Sequence, residues 1–179
     1  MPTHKTKRAL LKSGILALFF GAAGLSMPAM AQSPEHPATV HAGDLTLKGA
    51  FIRATLPRSP TGAAYVTITN DGSTDDRLMS VTTPVGDRAV LHEMVEENDI
   101  MPMRTLSDGL SIPVGETVSL VPGVTHIMIY GLDAPLVMGQ TIDLSLTFET
   151  AGDVIVSFDV LKLNALSHPD MDTEGQRGN

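Results

Sequence analysis

From Asp44 onward, hydrophobic and polar residues alternate through a succession of short runs. These are LTLKGAFIRATL (45–56), AAYVTITN (63–70), RLMSVTT (77–83), AVLHEMVEE (89–97), a methionine-rich run, ETVSLV (116–121), HIMIYGL (126–132), TIDLSLTFET (141–150) and DVIVSFDVLKL (153–163). A period of two puts successive side chains on opposite faces of a strand, and no helical period is sustained anywhere. Between the runs stand Asn70-Asp71-Gly72, Ser107-Asp108-Gly109, Pro113-Val114-Gly115, Pro122-Gly123 and Ala151-Gly152-Asp153, all with turn chemistry. Eight to ten short strands at this spacing predict one all-β domain over 45–163, an antiparallel β-sandwich or Greek-key barrel. The last two runs predict a hairpin closing one sheet.

The flanks have a different pattern. His4, Lys5, Lys7, Arg8 and Lys12 precede an apolar stretch, Gly14 to Leu25, and then Ala29-Met30-Ala31. That order reads as a secretory signal peptide over 1–31, its apolar stretch shorter than the roughly 20 residues a spanning helix needs. The expected product is an exported, periplasmic protein starting near Gln32 and not spanning the membrane. Residues 32–44 are polar with two prolines and read as a flexible lead-in. Residues 164–179 read from composition as a disordered tail.

Removing 1–31 takes away four of the twelve Lys and Arg and none of the twenty Asp and Glu, so the remaining charge is 8 − 20 = −12. Nucleic acid and anionic lipid are thereby disfavoured as partners. The chain has no cysteine, which excludes disulfides, thiol catalysis, thiolate zinc sites and the His-Cys copper centre of electron carriers.

Against that background, soft donors cluster. Met94, Met101, Met103 and Met128 fall within 35 residues, and with His92 and His126 the cluster spans 37. Alternation sets His126, Met128 and Tyr130 on one face of their run and Ile127 and Ile129 on the other; the isoleucines are core, so His126 and Met128 are expected on a more exposed face. His92 and Met94 repeat the spacing, as do Met101 and Met103. Methionine is also a common core filler, a role expected of Met79 and Met138, which lie outside the cluster. Thioether and imidazole donors suit Cu(I) better than hard ions or zinc, and methionine, unlike paired cysteine, cannot be lost to disulfides in an oxidising compartment.

These residues resemble the PCuAC-type periplasmic copper chaperones, whose pattern is His-x10-Met-x21-His-x-Met. Here ten residues separate His92 from Met103, and twenty-two, Arg104 to Thr125, precede His126-x-Met128, within a one-residue latitude. RAT at 53–55, TGAAYVTITN, LHEM, MPMR, GLSIPVGETVSLVPG and HIMIYGL also look like the family, over roughly Leu45 to Val160. The resemblance implies a cupredoxin-like β-sandwich binding one Cu(I) near its surface through His92, Met103, His126 and Met128, with Met94 and Met101 as alternates. It further implies delivery to an acceptor such as the CuA subunit of cytochrome c oxidase, alongside Sco-type thioredoxin-like proteins. The His/Met-rich tail of many members is reduced here to His168 and Met171, which puts a second, Cu(II) site in doubt; His36 and His41 in the lead-in are expected to be solvated. An enzyme is not expected, because Glu93 faces away from His92 and Glu96 and Glu97 sit towards a turn. The alternative is an immunoglobulin-like periplasmic interaction module without metal, its methionines filling a core.

Overall fold

The computed structural model describes residues 39–95 and 100–174. The expected signal peptide and His36 lie outside them. The described residues form eleven strands: β1 Thr39–Ala42, β2 Leu45–Arg53, β3 Thr61–Asn70, β4 Asp76–Thr82, β5 Arg88–Met94, β6 Met103–Thr105, β7 Leu110–Ile112, β8 Thr117–Ser119, β9 Thr125–Tyr130, β10 Thr141–Phe148 and β11 Gly152–Leu161. A short helix, α1, follows at Pro169–Glu174. Hydrogen bonding orders the sheet β6-β5-β9-β3-β2-β11-β10-β4-β7, with β1 on β2 and β8 on β3. Every pairing is antiparallel except β11 with β2. The sheet curls into a cupredoxin-like Greek-key β-sandwich, as expected.

The core follows from alternation. Leu45 and Leu47 of β2, Ala64, Val66 and Ile68 of β3, Leu91 of β5, Ile127 and Ile129 of β9, Leu144 and Leu146 of β10 and Phe158 of β11 all point to the enclosed face. The predicted 141–150/153–163 hairpin forms, but it is interior, with β10 on β4 and β11 on β2. Asp76 ties its turn down: the buried carboxylate accepts backbone N–H bonds from Arg77, Thr150 and Ala151 at 2.7, 2.9 and 3.0 Å. Buried Asn70 does the same for the 70–72 turn, donating to Thr74 and Ile112 and accepting from Gly72. Gly109 has φ 78° and a Cβ position 2.5 Å from the Leu78 carbonyl oxygen, so only glycine fits that turn.

One irregularity positions the candidate site. At Gly49, φ 61°, the β2–β3 register shifts between Lys48 and Phe51. Before this bulge Leu45 and Leu47 face the core; after it Ile52 does, opposite Ala64, while Phe51 pairs with Tyr65 on the outer face. Phe51, Tyr65 and Ala165 form a second, small apolar cluster there.

Three expectations fail. The lead-in carries β1 rather than being wholly irregular, because Thr39–Ala42 pairs along Leu45–Lys48. Residues 164–171, within the tail expected to be disordered, dock on the outer face: Ala165 is buried, its carbonyl accepts the Arg53 Nε–H at 2.7 Å, and buried His168 lies 3.3 Å from Asp159 and 3.4 Å from Asp170. Met79 and Met138 are 45% and 66% exposed rather than core, Met79 because it falls on the outward phase of β4 next to buried Leu78.

Candidate metal centre

β5 lies between β6 and β9, and all three present donors on the outer face. His92 is the register partner of His126 on one side and of Thr105 on the other. Met94 is opposite Met103. Met128, two residues beyond His126, is opposite Val90 on β5 and Ala63 on β3. Directly opposed residues share a face, so His92, His126, Met128, Met94 and Met103 line one surface, backed by Leu91 and Ile127 in the core. Met101 precedes β6 outside the ladder and is 51% exposed, so alternation does not assign it to this face.

The two imidazoles meet edge to face, ring centroids 5.9 Å apart at 89°. Contrary to the expected exposure, both are buried, at 6% for His92 and 7% for His126. Neighbouring rings supply the cover: Tyr130 lies 6.0 Å from His92 and Tyr65 6.4 Å from His126. Each tyrosine carries a guanidinium over its ring, Arg88 on Tyr130 at 4.5 Å and Arg53 on Tyr65 at 5.4 Å. The thioethers remain more open, with Met103 46% exposed and Met94 and Met128 half-buried.

Electrostatics favour neutral imidazoles. Burial pushes His92 below the usual histidine value, and burial, with a smaller contribution from His92, does the same to His126. Burial raises the Tyr65 phenol, partly offset by Arg53. Nδ1 of His92 is buried with no hydrogen-bond partner, an arrangement that costs about 1–3 kcal/mol unless something occupies it. Among the described residues no three His, Cys, Asp or Glu side chains are grouped to hold a metal ion. Among the described residues, Met94, Met103 and Met128 are the soft donors on the face of the histidine pair, and such a set fits a soft monovalent cation.

The family described as "Putative lipoprotein LpqE-like" matches residues 45–160. The chain belongs to that family. "Putative lipoprotein Lxx21020" of Leifsonia xyli subsp. xyli is 34% identical over 146 residues, covering 80% of this chain and 84% of the relative. Among solved structures, the copper-bound PCuAC domain from PmoF2 superposes with a TM-score of 0.59 at 20% identity, over 69% of this chain and 97% of that one. The solution structure of apo-DR1885 from Deinococcus radiodurans gives 0.54 at 27%, over 76% and 91%. The Cu(I) form of DR1885 gives 0.54 at 27%, over 73% and 82%. The 179 residues contain no cysteine.

Sequence reasoning placed the four principal donors on strands but missed their surroundings. Tyr130 was visible in the period of HIMIYGL, without an evident role. Tyr65, Arg53 and Arg88 carry no local signal, since only the Gly49 bulge and the β5–β9–β3 order bring them to the histidines. Of the tail residues, the His168 imidazole is packed between the Asp159 and Asp170 carboxylates and the Met171 side chain lies against Gly49. His41 lies 3.2 Å from the Thr46 hydroxyl through Nδ1. Among the described residues, no helix is long and apolar enough to cross a membrane.

Proposed function

We propose that this protein is an exported copper chaperone that binds one Cu(I) at His92 and His126, with thioether donation from Met128 and Met103. Met94 is the alternate on the same face, and Met101 could join from the segment before β6. The observation that carries the reading is the buried, unbonded Nδ1 of His92 in register with His126 and bordered by methionines. The likeness to the Cu(I) form of DR1885 supports the ion, and the similarity to a lipoprotein supports export to the periplasm.

The donor set matches the task of carrying copper and releasing it. All the donors are neutral, so binding needs no thiol deprotonation. Sulfur lies toward solvent and nitrogen beneath it, so an acceptor's ligands can replace the methionines before the histidines let go. The acceptor we infer is a cuproenzyme subunit such as the CuA subunit of cytochrome c oxidase, with a Sco-type protein as a companion; catalysis by the chain itself is not part of the reading.

The test is anaerobic Cu(I) titration of the purified protein against a chromogenic chelator, with Met128→Leu and His126→Asn alongside. One equivalent held by the wild type and lost or weakened in both variants is expected. Equal competition by all three proteins would return the methionines to packing roles.

A further inference from the structure

Beside the Met128 edge of the donor face lies an open groove of about 450 Å³. Tyr65, Ala63 and Met128 line it on the sheet side, and Leu56, Arg58 and Leu163 line it from the loops. Arg53 adds a second guanidinium, held by its bond to the Ala165 carbonyl and its place over Tyr65. None of the lining residues is acidic, although the protein has a net charge of −8.

The β2–β3 loop keeps this surface displayed. Arg58 has φ 67°, the sole positive value at a non-glycine residue among those described, a conformation that costs about 1 kcal/mol or more. A Ser59 N–H bond to the Leu56 carbonyl at 3.1 Å closes the turn. Leu56 is thereby left 64% exposed, facing a groove whose other rim, Leu163, is 53% exposed.

We propose that this groove docks an acidic segment of a partner protein, its carboxylates on Arg53 and Arg58 and an aliphatic side chain between Leu56 and Leu163. The choice of occupant rests on charge complementarity: two cations and apolar walls without a carboxylate, on a chain that otherwise repels anionic surfaces. Because Met128 is shared between groove and donor face, a segment seated here brings its protein against the sulfur edge. The inference deepens the delivery reading by naming the chemistry of the acceptor's docking segment.

The experiment uses two synthetic peptides, one alternating glutamate and leucine and the other its glutamine counterpart, titrated into ¹⁵N-labelled protein by NMR. The acidic peptide is expected to shift amides of Leu56, Arg58, Thr61 and Ala63, and to bind roughly tenfold more weakly in Arg58→Glu or on raising salt from 50 to 500 mM. Equal binding of both peptides, or shifts centred elsewhere, overturns the proposal. So does equal affinity for free glutarate, which would make the groove a small-carboxylate site. Cu(I) competition on Arg58→Glu keeps the two readings apart: copper affinity unchanged with peptide affinity lost isolates docking, while peptide binding by a wild type that holds no copper would leave the groove standing and the delivery reading refuted.

Discussion

His92 and His126 face each other across adjacent strands, in register, with ring centroids 5.9 Å apart and less than a tenth of either residue open to solvent. Two neutral imidazoles buried side by side, one with an unbonded Nδ1, are a poor way to stabilise a sheet. They are a reasonable way to wait for a cation.

His92→Leu should therefore separate stability from binding. It removes a buried unsatisfied nitrogen while filling similar volume, so the metal-free protein is expected to be as stable as wild type or up to about 1 kcal/mol more stable. Cu(I) binding should be lost. Chemical denaturation and chelator competition on the same samples check both; destabilisation by 2 kcal/mol or more would give His92 a structural role.

Stability should depend on pH through the same pair. Both folded values lie below the ordinary 6.5, so the unfolded chain binds more protons as pH falls past that point. The pair's contribution is complete above about 6.5 and declines as pH drops through the depressed folded values. Below them it is flat. Denaturant midpoints from pH 8 to 4 should show this slope in wild type and a reduced one in His92→Leu.

How far the site was legible depends on what kind of information each residue carries. Ile127 and Ile129 were identified as core from alternation alone, and the His126-Met128 face followed, because period two is local. The burial of that face was not local. It arises because the Gly49 bulge turns Phe51 and Arg53 outward and β3 then brings Tyr65 beside His126; nothing in HIMIYGL announces it. The docked segment around Ala165 was hidden for the same reason: its composition suggests disorder, and only the outer cluster of Phe51 and Tyr65 gives it something to cover.

Burial makes paired truncation at the site costly. His126→Ala with Met128→Ala would open a cavity beside Tyr65, and some loss of stability, about 1–3 kcal/mol, is expected along with the loss of copper. His126→Asn and Met128→Leu avoid that confusion. Thermal melts of the single and double variants distinguish the two effects.

The interior hairpin depends on one carboxylate. Asp76→Ala leaves the N–H groups of Arg77, Thr150 and Ala151 without their acceptor, and a loss of about 1–3 kcal/mol is expected. Hydrogen exchange should quicken at Thr150 and Ala151 first, since they belong to the turn. Unchanged exchange there would mean water replaces the carboxylate at little cost.

X-ray absorption at the copper edge of the Cu(I)-loaded protein bears most directly on the donor set. The expected spectrum has both imidazole nitrogen and thioether sulfur in the first shell, with sulfur diminished in Met128→Leu and in Met103→Leu. A first shell of nitrogen and oxygen alone, unchanged in those variants, would contradict the assignment of copper to this face.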